Sequence, residues 1–240
     1  MNKRAFVSIC IAIFVAMLGM GIISPLLTIY AKNMGASGIW LGIMYSGFSL
    51  SRALMQPVCG WLADKRGKKM LIVAGLSAYT LVSIAYSFAT DMYQLTGVRL
   101  LHGLASALVI PVAQAYVGDL TPKGREGTYM GLFSMSMQLG MAAGPIMGGS
   151  LFDIYSTMSS VFYTMAALAG MGLVCLVIFV PEMHTVHHQN MVKRAPMAVM
   201  LRDDKIKAIG LYLAARGILR QSISAFLPLF VVETFHSSLS

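Results

Sequence analysis

The ten residues Gly60–Lys69, GWLADKRGKK, decide how this chain folds. They place one carboxylate, four cations and two glycines between two long apolar stretches, residues 39–62 and 70–89. Burying a charge is costly, and a tight chain reversal favours glycine. The pattern therefore predicts a short polar turn that joins two long apolar helices.

The composition of the whole chain indicates a protein that folds in lipid. The 240 residues are 57% hydrophobic and only 11% charged, whereas a soluble domain is about one quarter charged. A membrane-spanning helix needs about 20 mainly apolar residues. Seven stretches have that length, at residues 5–30, 39–62, 70–89, 92–117, 127–152, 158–180 and 206–232. We therefore expect an all-α membrane protein with a six-helix bundle and one further transmembrane helix.

The positions of lysine and arginine predict how the chain crosses the membrane. Of the 18 Lys and Arg residues, thirteen fall in the cytoplasmic segments if the N-terminus is cytoplasmic, four lie inside the apolar stretches, and Lys32 alone lies outside. Cytoplasmic loops carry the excess of positive charge in membrane proteins. We expect a multi-pass protein of a cell membrane, most simply a bacterial or archaeal inner membrane. The net charge of +9 then follows from topology, and no nucleic-acid partner is expected.

Segment lengths divide the chain into three parts. We expect an N-terminal six-span bundle at residues 1–180, a cytoplasmic linker at 181–205, and a seventh span with the start of a second bundle at 206–240. The linker holds three histidines without cysteine or regular helical spacing, which favours a solvated segment over a metal site; they are His184, His187 and His188.

Neither a metal site nor an enzyme active site is predicted. The three cysteines lie within apolar stretches and lack the spacing of metal ligands. The chain has no nucleophile–base pair and no clustered carboxylates. We expect no catalytic residue, no bound metal and no cofactor.

Four arginines lie inside the apolar stretches. An arginine in the membrane is energetically costly and marks a functional site by default. At about 100° per residue, Arg99 and His102 share one polar face of the fourth stretch. We assign these arginines and their polar neighbours to a substrate or proton pathway: Arg52, Gln56, Arg99, His102, Arg216 and Arg220. The alternative is a structural role, with each arginine paired to carbonyls or an acid and His102 hydrogen-bonded in the packing.

The acidic residues are informative through their placement. All nine lie at or near the ends of the apolar stretches, and none is central. A carrier of organic cations commonly has a buried carboxylate, whereas this chain supplies buried cations. We therefore hypothesise an anionic or carboxylate-bearing substrate that contacts Arg99 and Arg52.

The charged turn resembles a signature of the major facilitator superfamily of secondary transporters. That signature reads G-x-L-a-D-r-x-G-r-k between spans two and three, and this chain matches it at Gly60, Leu62, Asp64, Lys65, Gly67, Lys68 and Lys69. The resemblance implies a cytoplasmic gate. In such a gate Asp64 and the neighbouring cations, Arg66 included, tie the two halves of the transporter together in its outward-open state.

Two further motifs carry the same resemblance. Residues Leu95–Ala107 look like the superfamily's l-x-x-x-R-x-x-q-G-x-g-a-a pattern, with His102 in place of the usual polar residue. The fifth stretch is similar to the motif of the superfamily's antiporters at Gly140, Gly144, Pro145, Gly148 and Gly149. Independently of the resemblance, glycines spaced by four residues line one helix face and let helices approach closely, while Pro145 removes a backbone hydrogen bond.

Together these motifs imply a carrier that works by alternating access. The superfamily is built from two six-span bundles, so we expect the N-terminal portion of a proton-coupled exporter whose C-terminal bundle is missing here. Its partners would be membrane lipid, a small-molecule substrate, and a proton as coupling ion. One alternative is an uptake carrier for an organic anion. The other is a non-transporting membrane receptor or assembly subunit derived from a truncated carrier.

Overall fold

The computed structural model describes residues 3–181 and 203–235, and the regular structure of these residues is entirely helical. Within these two ranges lie seven helices: α1 (Lys3–Asn33), α2 (Gly38–Arg66), α3 (Lys68–Ala85), α4 (Met92–Leu120), α5 (Glu126–Tyr155), α6 (Met158–Phe179) and α7 (Asp204–Phe235), with a 3-10 turn at Tyr86–Phe88 after α3. The predicted all-α architecture, six helices followed by one more, is confirmed, and the helices extend slightly past most of the predicted limits.

Polar residues and glycine end the helices where the sequence turns. The Ser37 hydroxyl accepts a hydrogen bond from the backbone N–H of Trp40 at the start of α2. The Asp91 carboxylate accepts the N–H groups of the first turn of α4. Between α2 and α3, Gly67 has φ of 90°, a conformation that side chains with a Cβ rarely adopt. These local signals place the turns where the charge pattern predicted them.

Helices α1 to α6 alternate in direction, so the turns between them gather at two ends of the bundle. At the end that carries the Gly60–Lys69 turn, hereafter the basic end, Lys69 Nζ donates to the carbonyl oxygen of Val177 at 3.2 Å. At the opposite end, Trp40 Nε1 donates to Thr96 Oγ1 at 3.0 Å. The alternation agrees with the predicted order of loops, while the side of the membrane that each end faces stays a prediction.

Two helix pairs pack most closely, α1 with α5 and α2 with α4. In the first pair, a Cβ built on Gly144 would lie 2.5 Å from backbone atoms of Gly21 and Ile22. The glycine face of α5 packs against α1 at Gly140, Gly144 and Gly148, and Gly149 is buried as well. Pro145 lies within α5. Contact at this distance requires glycine on the α5 side of the crossing.

Four of the described helices, α1, α3 with its 3-10 turn, α4 and α6, are long and apolar enough to cross a membrane. The predicted seventh span, α7, has 32 residues and is not among these four. Helices α2 and α5 have 29 and 30 residues but are also less apolar than these four. They carry long polar side chains, such as Arg52 and Gln138, on faces that line an internal cavity. The lower apolarity of these two helices is therefore explained by the polar side chains that they direct toward the cavity.

The predicted linker at 181–205 falls, from residue 182 to residue 202, outside the described residues. His184, His187 and His188 fall outside them as well. The division of the chain into bundle, linker and second part accordingly stays a prediction.

Candidate functional site

A central cavity of about 950 Å³ opens between α1, α2, α4, α5 and α7. Its size is that of a site for a small organic molecule. The polar side chains that line it belong to Ser24, Tyr45, Ser46, Ser49, Arg52, Gln56, Arg99, Gln114, Gln138 and Ser222. Among the described residues, no carboxylate lines the cavity. Two guanidinium groups therefore give its wall a positive character.

Arg99 is the most deeply placed charge in the bundle. Its residue is 4% exposed, and it lines the cavity from α4. Its Cζ atom lies 4.4 Å from the ring centroid of Phe48 and 5.3 Å from that of Tyr45. Arginine over an aromatic ring is attracted by the negative face of the ring. Nε and Nη1 of Arg99 are buried and have no hydrogen-bond partner in the described part of the chain. As a residue that lines the cavity, Arg99 brings a positive charge to this part of the wall.

The ring of Tyr45 is fixed from the side of α1. Its hydroxyl lies 2.7 Å from Thr28 Oγ1 and donates to the carbonyl oxygen of Ser24 at 3.2 Å. The aromatic support of Arg99 is thus anchored to a second helix, and among the described residues no carboxylate pairs with the guanidinium.

His102 lies behind the cavity wall. It is fully buried, and its Nδ1 is 3.1 Å from the hydroxyl of Tyr86. Its ring meets the ring of Tyr79 edge-on, with centroids 4.4 Å apart. The other ring nitrogen, Nε2, has no partner among the described residues. His102 thus shares a face with Arg99, as the sequence predicts, but does not itself line the cavity.

The remaining predicted pathway residues divide between the cavity and the surface. Arg52 and Gln56 line the cavity from α2. On α7, Arg216 is exposed, and the side chain of Arg220 is outside the described part. The cavity-lining residues of α7 are instead Gly217, Ser222 and Phe226.

At the basic end, three of the four predicted gate cations have partners inside the bundle. Lys68 forms an ion pair with Asp119 at the end of α4. The Nζ atom of Lys65 lies 4.0 Å from the ring centroid of Trp61, and the bond from Lys69 to α6 is described above. Sequence reasoning did not pair Lys68 with Asp119, because 51 residues separate them. These contacts fix the turn to its own bundle.

Asp64 and Lys68 line the same groove at the basic end. Asp64 is exposed, and the groove, of about 360 Å³, lies between α2 and α4. Gly60 also lines this groove, and a Cβ built on it would have nothing within 4 Å. The described structure therefore leaves room above this face of α2.

Sequence reasoning missed several residues of the cavity wall. Gln114 and Gln138 are long amides in apolar helices, and the criterion that selected Gln56 would have selected them. The methionines of the wall gave no such signal, since the chain contains 20 methionines and most are ordinary packing residues. They are Met17, Met20, Met137 and Met141.

The chain is similar to known membrane transporters. The sequence model of the Major Facilitator Superfamily matches residues 9–240. An uncharacterized MFS-type transporter of Methanocaldococcus jannaschii, MJ1560, is 39% identical over 65% of this chain and 40% of its own length. The quinolone resistance protein NorA of Staphylococcus aureus is 29% identical over 76% of this chain and 46% of its own length. The chain thus spans less than half the length of these curated relatives.

Solved structures show the same fold. A bacterial homolog of the human lysosomal transporter Spinster, in an inward-facing and unoccupied conformation, superposes with a TM-score of 0.76 at 14% identity, over 99% of this chain and 57% of that one. The human organic anion transporter MFSD10 superposes with a TM-score of 0.67 at 18% identity, over 75% of this chain and 48% of that one.

Proposed function

Since this chain belongs to the major facilitator superfamily, we propose that it forms one half of a carrier that exports a small organic solute in exchange for protons. Carriers of this kind rock one bundle against another around a site near the middle of the membrane. The proposal therefore includes a second six-helix bundle as partner of the helices described above. The direction of transport is suggested by the likeness to a resistance protein, and exchange is suggested by the antiporter-like glycine motif of α5.

The observation that carries the proposal is the buried guanidinium of Arg99 at the wall of a large cavity. A charged side chain in a membrane protein is costly and is retained mainly at substrate or ion pathways. Arg52 lines the same cavity, and no carboxylate does so among the described residues. This charge distribution favours a substrate with an anionic group.

The same charge distribution supports a second candidate, an uptake carrier for an organic anion. The two candidates differ in coupling. Proteoliposomes that contain the protein expressed from its complete gene would be tested for flux of radiolabelled benzenesulfonate, with and without a pH gradient. We expect flux that follows the proton gradient in the antiport direction and that organic sulfonates inhibit. Flux in the opposite direction would favour uptake, and inhibition by tetraphenylphosphonium but not by sulfonates would contradict an anionic substrate.

The same flux assay distinguishes both carriers from a third candidate, a receptor or assembly subunit without transport activity. We expect flux from the product of the complete gene and none from the 240-residue chain alone, since alternating access needs two bundles. Absence of flux for every probe in both preparations would favour the receptor.

We further propose that Asp64 belongs to a gate that closes the basic end against the second bundle. Replacing Asp64 with asparagine should lower the transport rate at least about fivefold. That factor corresponds to the smallest coupling free energies usually found between two sites of a protein. The substitution should not prevent membrane insertion. Asp64 lies at the edge of an open groove, so removal of its charge should leave the bundle packing intact. Flux in proteoliposomes and the amount of protein in the membrane fraction would measure the two effects.

Asp153→Asn is the matched control, because Asp153 is an exposed carboxylate on the same chain near the opposite end of the bundle. Its flux should equal that of the wild type. In the 240-residue chain alone, Asp64→Asn should leave flux at background, because alternating access needs two bundles. Unchanged flux of the Asp64→Asn transporter would contradict the gate.

A further inference from the structure

The central cavity has two chemically different walls. The wall formed by α2 and α4 carries both guanidinium groups, Arg52 and Arg99. The wall formed by α1 and α5 carries four methionines, hereafter the methionine wall, together with the polar side chains of Ser24 and Gln138. The methionines are Met17, Met20, Met137 and Met141. The two methionines of α1 are three residues apart and those of α5 are four apart, so each pair shares one helix face. Because α1 and α5 pack directly on each other, the two pairs line one side of the cavity.

A methionine wall has a defined preference among ligands. The thioether is unbranched, polarizable and a weak hydrogen-bond acceptor, so it adapts its shape to apolar groups and makes favourable contacts with aromatic rings. Ile110 from α4 and Phe226 from α7 extend the apolar lining. A small inorganic anion at Arg99 would leave this surface in contact with water. An organic cation would be placed beside two guanidinium groups with no carboxylate in the described lining to balance it.

We propose that the cavity binds an amphipathic organic anion, with its charged head at Arg99 and Arg52 and its aromatic or apolar body on the methionine wall. The head would be attracted by the positive charge of the Arg99 guanidinium, which Phe48 and Tyr45 hold in place. A cavity of about 950 Å³ accommodates a ligand body of two fused rings. A site for simple inorganic anions would not need this volume. This inference rests on the proposed function, because it assigns a substrate class to the same cavity.

Binding can be measured separately from transport. The protein expressed from its complete gene would be placed in lipid nanodiscs, and its affinity for three probes would be determined with empty nanodiscs as background. The probes are 1-naphthalenesulfonate, methanesulfonate and 1-naphthylmethylammonium. We expect the first to bind at least about tenfold more tightly than the second, from burial of the two rings, and the third not to bind. Equal affinities for the two sulfonates, or tighter binding of the ammonium probe, would overturn the proposal.

Two pairs of variants test the two walls. Met141→Gln should weaken binding of naphthalenesulfonate about fivefold or more, since an amide replaces an apolar contact, while Met141→Leu should change it less than about twofold. Neither substitution should change the affinity for methanesulfonate, which lacks the naphthalene body. Arg99→Gln should weaken binding of both sulfonates, and Arg99→Lys should weaken it less. Equal effects of glutamine and leucine at position 141 would exclude a role of the methionine wall.

The outcomes separate this proposal from the proposed function. Binding with the expected preference but without flux would contradict transport and leave the substrate class standing. Flux without any preference for the naphthalene body would support transport and overturn the substrate class. Elution of each variant as a single species in size-exclusion chromatography identifies variants that fold, and the comparison is made among those.

Discussion

Replacing Arg99 with glutamine is expected to abolish solute transport while leaving the bundle folded. The guanidinium is buried at the cavity wall, and two of its donors have no hydrogen-bond partner in the described part of the chain. Its burial therefore costs free energy in the folded state. The rings of Phe48 and Tyr45 offset part of this cost, and an anionic ligand would offset more of it. Removing the guanidinium should lower flux to the background of empty proteoliposomes and leave the thermal unfolding temperature unchanged or raised.

Two further variants define the role of this arginine. Arg99→Lys keeps the charge but lacks the planar group that stacks on Phe48 and binds a carboxylate or sulfonate with two donors. It should retain partial transport. Arg125→Gln removes an exposed arginine before α5 and should transport like the wild type. Normal flux through the Arg99→Gln protein would exclude Arg99 from the pathway, and a large drop in its unfolding temperature would indicate a structural role.

The second large effect is expected from a single methyl group at the crossing of α1 and α5. In Gly144→Ala the new Cβ would lie 2.5 Å from backbone atoms of Gly21 and Ile22, and backbone cannot rotate away as a side chain can. We expect a loss of about 1–3 kcal/mol in the free energy of unfolding, the usual range for overpacking, and a larger loss for Gly144→Val. Thermal unfolding of the purified protein in detergent would measure it.

Gly131 provides the matched control in the same helix. A Cβ built on Gly131 meets nothing within 4 Å, so Gly131→Ala should be neutral or stabilise by up to about 1 kcal/mol through the higher helix propensity of alanine. Equal unfolding temperatures for Gly144→Ala and Gly131→Ala would show that α1 and α5 are free to separate at this crossing.

The helices could be predicted from sequence because the signals that define them are local. Apolar length sets the spans, and polar turns such as the one at Gly67 set their ends. The polar face of α4 was also predictable, since helical periodicity alone places Arg99, His102 and Ser106 together, and all three are buried. Exposed Leu101 on the same helix agrees with the opposite, apolar face.

The contacts between helices were not predictable, because they join residues that are distant in sequence. Nothing local pairs Lys68 with Asp119, and nothing local indicates that His102 lies behind the cavity wall, held by Tyr86. The methionine wall is the clearest case. Its four members resemble every other methionine in the apolar stretches, and only the packing of α1 on α5 brings them to one side of the cavity.

The placement of tryptophan has a spectroscopic consequence. The sequence contains two tryptophans, and both belong to α2, at opposite ends of the helix. The indole of Trp40 is hydrogen-bonded to α4, whereas that of Trp61 is exposed beneath the ammonium group of Lys65. The surroundings of the two indoles therefore differ in polarity and in charge. Replacing either tryptophan with phenylalanine leaves the other as the one fluorescent indole. The intrinsic fluorescence of this protein thus offers an optical reporter for each end of the bundle, without any attached dye.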